Sequence, residues 1–273
     1  MAVIIAPEDR RQGYRLCRDL WQFREVFYAI VRRDLRVRYK QTLIGAAWAM
    51  LQPLVLMIVF TIVFGHFAQF PSEDVPYAVF AYVALLLWHF YSRVLNEASV
   101  SIVANQPLVT KIYFPRIILP ATVVASSLVD FAVALVLVFP LLGFFELGLG
   151  WAMLAAPAFV FLGAVACIGV ALWFSALYVR FRDVRQVLPL ATQVWFFASP
   201  VFYPTTVVPE AFHAIYGLNP MVGAIEGFRW SMIVGYPMPS WQVLLSSATI
   251  AALIFVAGLR YFARAQVSFA DQI

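Results

Sequence analysis

Hydrophobic positions along the chain fall into long runs, separated by short polar stretches that carry nearly all of the charge. A run of about 20 apolar residues crosses a ~30 Å hydrocarbon core as an α-helix. Six runs predict spans over 45–64, 77–95, 117–145, 151–179, 187–203 and 241–259. Within them, Arg93 lies close enough to the end of its run to snorkel to the interface, Asp130 is the one charge in the third, and the fifth is the shortest. The pattern predicts an all-α integral membrane protein with a single six-span transmembrane domain over 45–264, preceded by a cytoplasmic segment 1–44 and followed by a tail 265–273.

Ahead of the first run, Leu20, Phe23, Phe27, Ile30 and Val31 recur at helical spacing, while Arg24, Glu25, Arg32 and Arg33 fall on other faces. An N-terminal amphipathic interfacial helix is expected. Its basic end, Arg32, Arg33, Arg36, Arg38 and Lys40, can anchor topology or sit against anionic headgroups or an acidic partner. Between the fifth and sixth runs, 205–240 holds a further apolar stretch, but Pro209, Gly217, Pro220, Gly223 and Gly227 break it, and Glu226 and Arg229 charge it. Non-helical backbone is tolerated at membrane depth where protein or a water cavity covers it, so 205–233 reads as re-entrant helices that dip in and return.

Of the 19 Lys and Arg residues, 18 fall on the side of the N-terminus if the chain crosses six times, and Arg229 alone falls on the other. Both termini are therefore expected in the cytoplasm. The composition, 63% hydrophobic and 12% charged against roughly 25% charged in a soluble domain, excludes a water-filled exterior. The net charge of +5 sits between spans rather than on a polar domain, so it marks topology and not nucleic-acid binding. The first ~44 residues hold no short apolar core with a cleavage site, which argues against a cleaved signal peptide. Cys17 and Cys167 are expected at different depths, so no disulfide is predicted.

Enzyme chemistry is sparse. Lys40 precedes Gln41 and Lys111 precedes Ile112, so no phosphate loop ending in Lys-Ser or Lys-Thr is possible and ATP cannot be held in that way. His66, His89 and His213 lack neighbours at metal spacing. Asp130, with Ser126 and Ser127 one turn earlier, reads either as a polar strip facing a conduit or proton path, or as a carboxyl that fixes helix packing. No second intramembrane acid or histidine forms a relay with it, which weighs against a proton-coupled transporter, and the scattered acids weigh against an intramembrane transferase.

Three blocks carry a family resemblance: Arg33 to Pro53 (RDLRVRYKQTLIGAAWAMLQP); Asn105 to Arg116 (NQPLVTKIYFPR) with Leu119-Pro120; and Ser199 to Pro204 (SPVFYP) with Pro209, Asn219-Pro220-Met221 and Glu226 to Arg229 (EGFR). Together they resemble the membrane subunits of ABC type 2 exporters of O-antigen, capsule and teichoic acid, over essentially the whole chain. The resemblance implies a homodimer in the cytoplasmic (inner) membrane, paired with two copies of a separate ATPase. ATP and Mg would then bind to that partner, and this chain would carry no cofactor and no catalytic residue. It further implies a lipid-linked polysaccharide substrate, O-antigen foremost, with capsule, teichoic acid or a smaller lipid or drug as alternatives.

The same resemblance places an ATPase-coupling helix in the loop 98–116, with Asn105, Gln106, Pro107, Leu108, Val109, Thr110 and Lys111 at the contact. It places gate helices over 205–233, where Pro209, Asn219, Pro220, Glu226 and Arg229 are the gate candidates, Glu226 and Arg229 being spaced for an intrahelical pair. It sets the first and fifth spans along the conduit. Sugar C–H faces pack on aromatic rings, so Phe60, Phe64, Trp195, Phe196, Phe202 and Tyr203 are the channel-lining candidates.

Overall fold

The computed structural model describes residues 21–40, 45, 47–209, 212 and 215–269. Cys17, Leu20, His213 and most of the 1–44 segment's first half lie outside the described residues. In chain order the main helices are α1 (Arg24–Tyr39), α2 (Ala47–Phe67), α3 (Tyr77–Ala104), α4 (Gln106–Lys111), α5 (Ile118–Phe144), α6 (Trp151–Arg180), α7 (Val184–Phe197), α8 (Pro220–Met232) and α9 (Trp241–Ala265). Five of them, α2, α3, α5, α6 and α9, are long and apolar enough to cross a membrane.

α3 is apolar all round and forms the centre of the bundle: from Tyr77 to Tyr91 every residue except His89 is buried. It also runs past the expected end at Leu95 to Ala104, through a π-helical turn at Val94–Ala98. The polar side chains of Asn96, Ser99 and Ser101 bond back into the helix. Asn96 Nδ2 donates to Ser92 O at 2.7 Å, Ser99 Oγ to Leu95 O at 2.5 Å and Ser101 Oγ to Ala98 O at 2.7 Å.

α6 and α9 make the closest crossing. A Cβ on Gly169 would stand 2.7 Å from the Phe255 backbone, and one on Gly258 2.2 Å from Gly169 O. Glycine at both positions lets the two backbones meet, the small-residue device by which helices associate in lipid.

One apolar cluster fixes the topology. Ile30 of α1, Ile102 at the end of α3, Ile117 ahead of α5, Val179 at the end of α6 and Phe262 of α9 pack together at one end of the bundle. Lys111, Arg116, Arg180 and Arg264 lie on connections at this basic end. At the far end, Tyr77 touches Gly65, Val234 touches Gly150, and the Phe80 and Tyr236 rings lie 6.1 Å apart. The five long helices alone would leave α9 starting at the wrong end, so the chain must traverse the bundle once more between Arg180 and Trp241.

α7 and the segment after it make that traverse. Asn96 Nδ2 donates to Thr192 Oγ1 at 3.2 Å, and the Tyr77 hydroxyl donates to Phe202 O at 2.7 Å. Tyr77 and Asn96 are separated by about 28 Å of helix at 1.5 Å per residue. The regular helix stops at Phe197, short of the expected 203, because Pro200 cannot donate to the ladder and disfavours helical backbone at Ser199. Beyond it, within 205–233, the described residues show a short turn at Thr205–Val207, helical positions at 212, 215 and 216, and the helix α8. Asn219 caps α8, its Oδ1 accepting from Met221 N at 3.0 Å with Pro220 in the first turn.

Candidate coupling site and conduit

α1 packs against α5, and two of its arginines reach across to α3. Arg33 Nη2 donates to Asn105 Oδ1 at 2.8 Å, and five residues on Arg38 Nη2 donates to Glu97 Oε2 at 2.8 Å. Arg38 Nη1 and Arg93 Nη1 both donate to Asp130 Oδ2 at 2.5 Å, Arg93 Nε donates to Glu97 Oε1 at 2.9 Å, and the Tyr39 hydroxyl donates to Asp130 Oδ1. Two guanidinium groups and two carboxylates thus balance around Asp130, whose side chain is 7% exposed. A buried carboxylate is tolerable when it is paired and its lone pairs are filled. Burial first, and then the bond to Asp130, push the Tyr39 phenol up to about 12.

This cluster corrects one expectation. Arg93 turns inward to Asp130 and Glu97 instead of snorkelling, and Arg38 faces the same carboxylates. Of the two readings of Asp130, these pairs favour a carboxyl that fixes helix packing; Ser126 Oγ donates back to Val123 O at 3.0 Å, while Ser127 lines the cavity beside Asp130. A cavity of about 270 Å³ borders the cluster, between Gln52 and Pro53 of α2, His89 and Asn96 of α3 and Ser127 of α5.

Within the segment expected to hold a coupling helix, Gln106–Lys111 is helical. α3 gives way at Asn105, Pro107 opens α4, and Ile112 is extended. Val109 is buried in the cluster at the basic end and Leu108 packs on it, while Pro107, Thr110 and Lys111 are exposed. Beyond them Tyr113 is 83% exposed. One face of the segment is therefore clamped to the bundle and the other is bare. Arg116 donates to Gln266 O and stacks over the Phe269 ring, tying the following turn to the end of α9.

Toward the far end five of the six channel candidates are brought together, and Trp195 stands beside them on Tyr91. Phe60 lies 5.4 Å from Phe64 and 5.9 Å from Phe196; Phe202 lies 5.1 Å from Phe64, 5.8 Å from Phe196 and 4.9 Å from Tyr203. Trp195 stands 5.2 Å from Tyr91, and its Nε1 donates to Asn219 Oδ1 at 2.9 Å. Aromatic pairs at these separations contribute about 0.5–1.5 kcal/mol each beyond burial. The rings join α2 to the end of α7, two elements distant in sequence.

Of the gate candidates, Asn219, Pro220, Glu226 and Arg229 lie on or at the cap of α8, whereas Pro209 lies apart on an exposed turn. Arg229 is fully buried. Its Nη1 meets Glu226 Oε1 at 3.0 Å, Nε donates to Phe80 O at 3.1 Å and Nη2 to Val201 O at 2.7 Å, with the guanidinium 3.6 Å from the Phe80 ring centre. Tyr236 donates to the other Glu226 oxygen at 2.8 Å. The spacing of Glu226 and Arg229 disclosed the pair; the backbone acceptors on α3 and on the turn after α7 could not be read from it.

The order of elements thus places a basic helix ahead of five helices long and apolar enough to cross a membrane, with the short helix α4 bared between the second and third of them. The sequence model for the ABC-2 type transporter matches residues 25–233. The chain belongs to the ABC-2 type transporter family. Its match runs from α1 to the end of α8, so both the Asp130 cluster and the buried Arg229 lie inside the family's shared region. Proteins named O-antigen export system permease protein RfbA, from Myxococcus xanthus and Klebsiella pneumoniae, are 27% and 25% identical to this ABC-2 membrane domain, over 95% and 90% of this chain and 99% and 94% of theirs. The polysialic acid transport protein KpsM of Escherichia coli is 24% identical over 76% of this chain and 81% of its own.

Proposed function

We propose that this chain is the membrane-spanning permease subunit of an ATP-driven exporter that moves a lipid-linked polysaccharide of the O-antigen type across the cytoplasmic membrane. The observation that carries the reading is the correspondence, nearly end to end, with the Myxococcus RfbA permease, which spans 95% of this chain. Two chains and two copies of a separate ATPase make the working complex, and ATP and Mg bind on the ATPase. The bundle crosses the membrane six times with both ends cytoplasmic. Support for this comes from Ile30 and Phe262 sharing one cluster, from the traverse made by α7 and Ala198 to Phe202, and from the concentration of Lys and Arg at that end.

In this reading the bare face of α4 receives the motion of the ATPase. α4 follows α3 directly after the break at Asn105, and Arg33 and Arg38 tie α1 to Asn105 and Glu97 on either side of the end of α3, so displacement of α4 is passed to α1 and to the end of α3. The aromatic rings between α2 and α7 form the wall along which sugar faces slide, and α8 dips in from the outside and returns as the gate. Arg229 fastens that gate to Phe80 and Val201. Removing the chain from the organism that carries it tests the function. Lipid-linked polymer should accumulate on the cytoplasmic face, and normal polymer at the cell surface would contradict the proposal.

A further inference from the structure

The five basic residues expected to act as one cationic end are divided by the fold. Arg33 and Arg38 point at Asn105, Glu97 and Asp130. Arg32, Arg36 and Lys40, at successive i,i+4 positions, stand exposed on another face and form no ion pair among the described residues. Beside them on the same face of α1 a shallow groove runs along Tyr28, Val31, Leu35 and Tyr39. At the N-terminal end of the same helix, Trp21 and Tyr28 are 73% and 65% exposed, aromatic side chains of the kind that settle at headgroup level.

We propose that this face of α1 is a binding site for an anionic phospholipid of the bilayer, the phosphate held by Arg32, Arg36 and Lys40 and an acyl chain laid in the groove. Charge and shape select the occupant. Three cations in one row, without an ion pair among the described residues, call for an anionic group, and the apolar side chains directly beside them call for a ligand with a hydrocarbon tail. Near an anionic surface each cation strengthens association about fivefold. Since the opposite face of α1 holds Asn105 and the Asp130 cluster, lipid bound here would fix the helix through which α4 is braced.

The test uses the full chain in phosphatidylcholine vesicles, with spin-labelled phosphatidylglycerol or phosphatidylcholine as the probe. The unmodified chain should immobilise the anionic probe severalfold more than the neutral one, and added salt should weaken the preference. The triple variant Arg32→Gln, Arg36→Gln, Lys40→Gln should lose the preference, while Arg33→Gln, which also removes one charge from α1, should keep it. Unchanged helical circular dichroism in both variants keeps a folding defect from imitating the result. Equal preference in the triple variant and the unmodified chain would overturn the proposal. So would absence of any lipid preference together with loss of ATPase binding in the triple variant, which would make the stripe a protein contact. No transport is needed for the readout, so it stands or falls separately from the export function.

Discussion

Asp130 accepts from three side chains on two other elements, and its removal leaves Arg38 and Arg93 with Glu97 as their one shared anion. Breaking a buried pair from one side is destabilising, here moderated by the partial exposure of Arg93. Asp130→Asn should therefore cost about 2 kcal/mol by thermal melting in detergent, and adding Arg38→Gln should recover part of the loss. Tyr39 supplies a pH signature. Its folded pKa lies above the ordinary value of 10, so the neutral phenol is the bound form. The stability it adds is present below pH 10 and is lost as pH rises toward about 12. The melting-temperature difference between the chain and Tyr39→Phe should shrink over that interval, and a difference that grew would contradict the assignment. At Arg229, Arg229→Met should cost roughly 3–5 kcal/mol because it strands Glu226, and Arg229→Met with Glu226→Gln should cost less than the single change.

Among the elements, α4 is the one whose two faces have different work. Lys111→Ala alters only the bare side, whereas replacing Leu108 also disturbs packing at the basic end. In a reconstituted complex, Lys111→Ala should lower polymer export severalfold while melting temperature and ATPase-free assembly stay unchanged; full export at normal expression would refute the coupling role. The helices themselves were legible in the sequence because a lipid solvent enforces long apolar runs, and 118–144 and 151–180 fall within a residue of expectation at each end. The end of α3 was not legible. Ser and Asn can bond to their own helix or leave it, and only the tertiary setting of Asn96, Ser99 and Ser101 chooses. α7 was misjudged for a related reason, since an apolar run continues through Ser199-Pro200 although regular helix cannot.

Across the whole molecule, the basic residues told more about orientation than about contact. Counting them placed the connections at one end, and the cluster from Ile30 to Phe262 gathers those connections there. The count was blind to the inward turn of Arg38 and Arg93, whose carboxylate lies 92 and 37 residues away, because no local pattern joins charges that far apart. The same holds for the aromatic wall, where composition offered many rings and only the fold brings Phe60 to Phe196. The export reading requires α4 and the end of α9 to share the compartment of the ATPase, opposite the turn after α2. Single cysteines in a background without Cys17 and Cys167, placed at Gln69, Tyr113 and Val267 and probed with a membrane-impermeant maleimide on intact cells, test this directly. Label should reach Gln69→Cys from outside, and reach Tyr113→Cys and Val267→Cys only after the cells are opened. Labelling of Tyr113→Cys in intact cells would contradict the account.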